Sequence, residues 1–221
     1  MNNAKGSDIQ VSEPFVYWRA VWEGLTMRTY WLLRPSQAHF AQMNHDSILI
    51  RPARPADRGA IARITLAAYR EYATSMAPSA WNALDQAVRA SLVNDTGVTR
   101  LVAELDGEIV GSAALYAPES AAYGDLAALA SWPEVRLVAV NPAVRGRGVA
   151  RALVEECIRR ARESGASVLG LHTSRSMRAA VRLYEQMGFV RDPEHDFQPP
   201  GAELVEGYLL RLDDPAPHPE S

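Results

Sequence analysis

The turn Arg145-Gly146-Arg147-Gly148-Val149-Ala150 follows an apolar run, Val135 to Val140, and precedes a run in which Val149, Leu153 and Cys157 share one helical face. A loop between a strand and a helix exposes the first helical N–H groups, and those donors together with the helix dipole attract an anion. Gly146 and Gly148 remove Cβ atoms so that the backbone can come close to it, while Arg145, Arg147 and Arg151 add positive charge. The chemistry this combination offers is the holding of a pyrophosphate.

Three ligand-bearing turns share that chemistry. A P-loop needs Gly-Lys-Ser/Thr, which is absent. A Rossmann turn needs Gly-x-Gly-x-x-Gly/Ala, but the third position counted from Gly146 and Gly148 is Arg151, and the turn does not begin the first βαβ unit of the chain. A coenzyme A loop remains, as does a bare Gly-x-Gly turn without a ligand. Cys157 sits mid-helix among apolar residues and reads as packing rather than as a nucleophile.

The elements that must position this turn are regular from Ile48 onward. Ile48 to Arg51 is a short strand ended by Pro52, and Ala56 to Glu71 carries Ile61, Ile64 and Ala68 at helical spacing. Trp81, Leu84, Val88 and Leu92 form a second helical stripe. Arg100 to Glu104 and Glu108 to Tyr116 flank Asp106-Gly107, a strong hairpin signal. The Ala-rich stretch 117–133 is long enough for a functional loop or a poorly formed helix. Val135 to Val140 is a strand stopped at Asn141-Pro142, and the helix after the turn stops at Gly165. Val168 to Thr173 reads as a buried strand, Ala179 to Met187 as a helix ended by Gly188, and Leu204 to Leu212 as the last strand. This order predicts a mixed α/β domain, antiparallel in its first half and with a parallel βαβ crossover in its second.

Composition bounds the class. The chain has 221 residues, enough for one decorated domain, and its 48% hydrophobic and 22% charged residues are ordinary for a globular protein. With 23 Lys+Arg against 26 Asp+Glu there is no basic excess, so a nucleic-acid partner is not expected. A single cysteine excludes an internal disulfide framework and a multi-cysteine zinc site, and no metal is expected. The longest apolar run near the N-terminus, Tyr30 to Leu33, is too short for a bilayer span or signal segment, so a soluble cytoplasmic protein without a membrane partner is the expectation. Residues 1–46 hold three of the five tryptophans, with Phe15, Trp18, Trp22 and Leu25 on one face of a short helix after Pro14. They read as an N-terminal extension outside the domain, and Met27 and Met43 are alternative starts to Met1. Residues 47–212 form the domain, and 213–221, with three prolines, form a disordered tail.

The pattern Arg145-x-x-Gly148-x-Ala150, followed by Ala180-x-x-Leu183-Tyr184-x-x-x-Gly188-Phe189, resembles the two signature motifs of the GNAT superfamily of acetyl-CoA-dependent N-acetyltransferases. The resemblance covers Ile48 to Leu212. It implies a GNAT-type fold around a V-shaped cofactor cleft, acetyl-CoA as acetyl donor, and a pyrophosphate held by Arg145, Gly146, Arg147, Gly148, Val149, Ala150 and Arg151. It further implies that Val138-Ala139-Val140 splays from its neighbouring strand and offers free backbone groups to the thioester carbonyl and the pantetheine amides.

Acetyl transfer needs a neutral amine, a polarised carbonyl and a protonated leaving thiol. The resemblance places Tyr184 beside the thioester sulfur as the acid, a phenol of pKa ~10 facing a thiolate of roughly 8.5. Without the motif, Tyr184 would read as a core aromatic. Two positions compete for the base. Glu134 matches the glutamate base of histone-type members, and His172 matches the base position of the ribosomal-protein alanine acetyltransferases. Imidazole, with an intrinsic pKa of ~6.5, suits proton capture at neutral pH, whereas the carboxylate needs a raised pKa or a water relay. Glu134 is slightly favoured because its strand leads into the loop motif, and a linked base using both is a third arrangement. Where many members carry an asparagine bonded to the cofactor this chain has Met177, with Ser174 and Ser176 as replacements.

The acceptor site is expected between the joint of the first two helices, the 117–133 stretch and the 192–203 connection. Glu119, Asp125, Glu194 and Asp196, with His195 and Pro199-Pro200, would surround a small cationic amine. Alternatives are a protein N-terminus or lysine as acceptor, and a non-catalytic acyl-CoA-binding or sensing module. The protein would act as a monomer or homodimer.

Overall fold

The computed structural model describes residues 48–120 and 130–212. The chain divides into two units, Met1–His45 and Asp46–Ser221, and the described residues all fall in the second. The expected N-terminal helix, the Ala-rich segment at 121–129 and the tail from 213 onward lie outside the described residues.

Seven strands form one sheet in the order β1-β2-β3-β4-β5-β7-β6. They are β1 (Leu49–Pro52), β2 (Val98–Leu105), β3 (Glu108–Tyr116), β4 (Glu134–Val140), β5 (Val168–Thr173), β6 (Val190–Arg191) and β7 (Glu206–Arg211). The helices are α1 (Arg58–Arg70), α2 (Pro78–Val93), α3 (Val149–Glu163) and α4 (Arg178–Gln186). Strands β1 to β4 pair antiparallel, β4 and β5 are parallel across α3, and β7 pairs antiparallel with both β5 and β6. This is the expected mixed α/β architecture with its βαβ crossover. The two-residue β6 is new, since so short a strand carries no periodicity to read.

Local chemistry explains most turns. Asp106 and Gly107 both take positive φ, 53° and 80°, which is what a two-residue hairpin whose twist matches its strands requires. Between β1 and α1, Arg51 bridges Asp57 at 2.7 Å and Glu104 at 2.5 Å. The Arg51 guanidinium holds the Asp57 carboxyl down at about 2.

The core lies between α3 and one face of the sheet, with Leu153, Val154, Cys157, Leu169 and Leu171 almost fully buried. A Cβ on Gly111 of β3 would come within 2.8 Å of Val149 Cγ1, so a glycine there lets α3 sit close on the strand. The other face takes α1, whose Ile64 and Ala68 pack on Ala139.

Strand β4 carries the feature that opens the sheet. Its pairing with β3 slips by one residue between Ser112/Ala139 and Ala114/Arg136, and Leu137 lies in the left-handed region at φ 52°. Two residues of β4, Leu137 and Val138, therefore oppose Ala113 alone, which is a β-bulge. The bulge shifts the in–out phase, so that Val135 and Val140 both reach the α3 core although five positions separate them. Among the described residues, β4 pairs with β5 only at Glu134–Gly170 and Val135–Leu171, and beyond these the strands part.

Gly170 marks where they still touch. A Cβ there would meet Trp132 Nε1 at 2.4 Å and Cδ1 at 2.8 Å, so the indole lies flush on the strand. Gly170→Ala is expected to displace Trp132 and to destabilise the domain by about 1–3 kcal/mol. Thermal unfolding checks this, and an unchanged midpoint would show that the indole has room to move.

Candidate active site

Strand β5 alternates faces: Leu169 and Leu171 enter the α3 core, so Gly170 and His172 lie on the opposite side. Glu134 is the β4 neighbour of Gly170, which brings it to the same side. His172 Nδ1 accordingly lies 3.2 Å from Glu134 Oε1, with side chains only 8% and 7% exposed. The two competing base candidates are one pair.

The other ring nitrogen is committed. His172 Nε2 donates to the carbonyl of His195 at 2.9 Å, which fixes a proton on Nε2. With that tautomer Nδ1 is the acceptor nitrogen of the ring, and it faces the Glu134 carboxylate.

The His195 carbonyl is itself held. His195 Nδ1 lies 2.5 Å from Asp192 Oδ2, and its ring meets Trp132 edge-on at 4.8 Å. Asp196 accepts from Arg191 at 2.5 Å and from the Gly207 backbone at 3.0 Å, and the Arg191 guanidinium holds it below the usual carboxylate range. The His172 ring also meets Phe197 edge-on at 5.2 Å.

The glycine-rich turn occupies the start of α3. Gly146 and Gly148 have φ of 80° and 82°, and Gly148 is the residue before the first helical turn. A Cβ at either would meet nothing within 4 Å, so the glycines are there for backbone conformation and the turn faces open space. No side chain caps the helix, which leaves the N–H groups of Val149, Ala150 and Arg151 as donors. Arg145 pairs with Glu71 at the end of α1, and Arg151 lies 3.7 Å from Glu155. A phosphate arriving here would exchange with these carboxylates for the arginines.

Residues 138–140 belong to the part of β4 beyond its pairing with β5, with Ala139 and Val140 buried. Tyr184 lies on the inner face of α4, 8% exposed, its ring edge-on to Phe189 at 5.9 Å. Met177 precedes α4 and its sulfur accepts from Thr173 Oγ1 at 3.7 Å. Ser174 contacts Ser176 at 2.9 Å and donates to Glu203 at 2.5 Å. Cys157 is fully buried, and burial pushes its thiol up to about 12, so it is no nucleophile.

Beside His172 opens a cavity of about 620 Å³ between α2, the β4 bulge and the 197–205 connection. Pro199 and Pro200 line it as expected, but Glu119, Glu194 and Asp196 do not, and Asp125 lies outside the described residues. The expected ring of carboxylates is absent among the described residues: Glu203 is the sole carboxylate of the lining, because Asp196 turns to Arg191 and the Gly207 amide. Sequence reasoning also passed over Arg136, Leu137 and the alanines of α2, which line the cavity. The alanines had a signal, recurrence at helical spacing from Ala80 to Ala90; the bulge at Leu137 had none.

Among the described residues no cluster of three or more His, Cys, Asp or Glu is placed to hold a metal ion, and no helix is long and apolar enough to cross a membrane.

The sequence profile of the Acetyltransferase (GNAT) family matches residues 66–189. The chain is 33% identical over 88 residues to the uncharacterized N-acetyltransferase YjgM of Escherichia coli K12, and spans about half of that relative (48%, against 40% of this chain). Its fold resembles a GNAT family acetyltransferase from Brucella melitensis solved in complex with acetyl-CoA, with TM-score 0.50, 25% identity, and coverage of 78% of this chain and 93% of that one. It likewise resembles the ribosomal-protein-alanine N-acetyltransferase of the same organism, with TM-score 0.51, 26% identity, and coverage of 74% and 99%. An uncapped helix start behind two left-handed glycines, a bulged strand parted from its parallel neighbour and a match across more than half of its length converge: this chain belongs to the GNAT acetyltransferase family.

Proposed function

We propose that the protein is an N-acetyltransferase that moves an acetyl group from acetyl-CoA to a primary amine by direct attack, with both substrates bound together. The observation that carries this reading is the Glu134–His172 pair, buried where β4 and β5 part and beside a cavity large enough for an acceptor. Acetyl-CoA supplies the activated acetyl group as a thioester. Residues 145–151 hold its pyrophosphate through the N–H groups of the helix start, and the parted edge of β4 at Val138, Ala139 and Val140 presents backbone groups to the carbonyl and the pantetheine arm.

The acceptor arrives as a monocation and must lose a proton before its nitrogen can attack. The Glu134–His172 pair accepts that proton through a bridging water, and His172 brings the pair to the cavity wall. As the C–N bond forms and the C–S bond breaks, Tyr184 donates a proton to sulfur, the second proton shed by the nitrogen as the amide forms passes through water to restore Tyr184, and the proton held by the Glu134–His172 pair leaves to solvent. The buried, high-pKa Cys157 removes the obvious acyl-carrying thiol, which favours direct attack over a covalent relay.

A second reading, acetylation of a protein N-terminus, is favoured by the likeness to the ribosomal-protein-alanine enzyme of Brucella melitensis. Thiol release from acetyl-CoA in the presence of amines and of short peptides separates the two. Acetyl-CoA at millimolar concentration is expected to raise the thermal midpoint by several degrees, as a ligand specific to the folded state must. No shift would remove the donor from this reading; a shift with no turnover on any acceptor would leave a non-catalytic acyl-CoA-binding module.

A further inference from the structure

We infer that the 192–196 turn between β6 and β7 is the positioning element of the general base: seated on Gly207, it presents the main-chain carbonyl of His195 to His172 and so selects which ring nitrogen faces Glu134. This deepens the acetyl-transfer reading and rests on its assignment of His172 to the base. Asp192, His195, Asp196 and Gly207 are positioning residues, which act through His172 rather than on the substrates.

Gly207 of β7 is the register partner of His172 on β5, so the two lie side by side on one face of the sheet. A Cβ at Gly207 would come within 2.8 Å of the Asp192 carbonyl oxygen, 3.3 Å of His195 Cβ and 3.4 Å of the His195 carbonyl carbon. The turn therefore lies directly against the strand. Main-chain atoms make the closest of these approaches, and they cannot swing aside as the end of a flexible side chain could. Glycine at this position is what lets the His195 carbonyl come within 2.9 Å of His172 Nε2.

A set of polar contacts fastens the turn there. Asp192 N–H donates to the Gly207 carbonyl at 2.9 Å, and Gly207 N–H donates to Asp196 Oδ1 at 3.0 Å, so the glycine backbone bonds the turn in both directions. Arg191 donates to the same Gly207 carbonyl at 3.1 Å and to Asp196 at 2.5 Å. His195 Nδ1 donates to Asp192 Oδ2 at 2.5 Å, and Trp132 packs edge-on against the His195 ring. The consequence falls on His172. A neutral imidazole can carry its proton on either nitrogen, and the bond made by one nitrogen decides the state of the other. A carbonyl only accepts, so the His195 carbonyl keeps the proton on Nε2 and leaves Nδ1, 3.2 Å from Glu134 Oε1, as the nitrogen without one. Asp192, His195 and Asp196 thus serve the base from behind instead of surrounding the acceptor.

The test uses the full chain labelled with nitrogen-15 at histidine. Long-range proton–nitrogen correlation spectra in mildly alkaline solution distinguish the two neutral tautomers, and comparison with His172→Gln identifies the His172 signals among the 5 histidines. His172 should be in the Nε2–H form in the parent chain and a mixture of both forms in Gly207→Ala, whose methyl group pushes the turn off the strand. Thiol release from acetyl-CoA with a panel of amines and short peptides should show kcat lowered about 10²-fold in Gly207→Ala, the scale of a misplaced catalytic group. KM for the acceptor and thermal protection by acetyl-CoA should be retained, because the turn acts on the base and not on binding. Asp192→Ala, which leaves the glycine and frees only the His195 ring, should move the tautomer the same way and lower kcat about tenfold, and it serves where Gly207→Ala fails to fold. An Nδ1–H tautomer in the parent chain, or a tautomer unchanged in the variants, would overturn the inference. A mixed tautomer with undiminished kcat would uphold the hold of the turn on the ring and overturn the assignment of His172 to the base. The tautomer is read without any acceptor, so a lack of turnover on the whole panel would count against the acetyl-transfer reading alone.

Discussion

Glu134→Gln and His172→Gln should each lower kcat/KM by about 10²–10⁴-fold, and the double variant should be no slower than the worse single one. The proposed reason is that the two side chains act as one base. His172 Nε2 is committed to the His195 carbonyl, so the ring exchanges its proton only through Nδ1, and Nδ1 faces Glu134 Oε1 at 3.2 Å. On the proposed mechanism neither group is a complete base without the other. A glutamine at position 134 offers an amide N–H that satisfies Nδ1 but cannot accept the acceptor's proton, so folding should survive while catalysis does not. If the pair acts as one base, the ascending limb of kcat/KM with pH should be lost in both single variants. Additive losses, or a surviving limb in either variant, would show that the two act separately.

The second large effect is expected at Tyr184. Tyr184→Phe keeps the ring that packs edge-on against Phe189 and removes only the hydroxyl, so stability should change little. Turnover should fall about 10²-fold, because the departing sulfur loses its donor as charge develops on it. The thermal protection expected from acetyl-CoA should be retained, since the pyrophosphate site proposed here lies at the start of α3 and not on α4. An unchanged rate would reduce Tyr184 to the core aromatic that its burial alone describes.

The two expectations differ in how they can fail. Tyr184 belongs to a contiguous motif, and its place on the inner face of α4 follows from helical spacing with Leu183 and Ala180. The base pair has no such local support. Glu134 and His172 come from strands separated by the whole of α3, and their contact exists only because β4 and β5 pair in parallel at Glu134–Gly170.

What the residues settle alone is local. Asp106-Gly107 makes a hairpin because both positions must adopt positive φ, and Gly146 and Gly148 make an open turn before α3 for the same reason. Hydrophobic periodicity then places α1, α3, β4 and β5 to within a few residues, because burial of one face is a property of spacing. Tertiary structure decided three other things. Leu137 adopts a left-handed conformation that leucine does not prefer, so only the mismatch between β3 and β4 can impose the bulge. Asp196 leaves the cavity because its side chain has closer partners in Arg191 and the Gly207 amide. Glu134 and His172 become one pair because strand pairing is non-local: it is set by register, and register is a property of two segments rather than of either one.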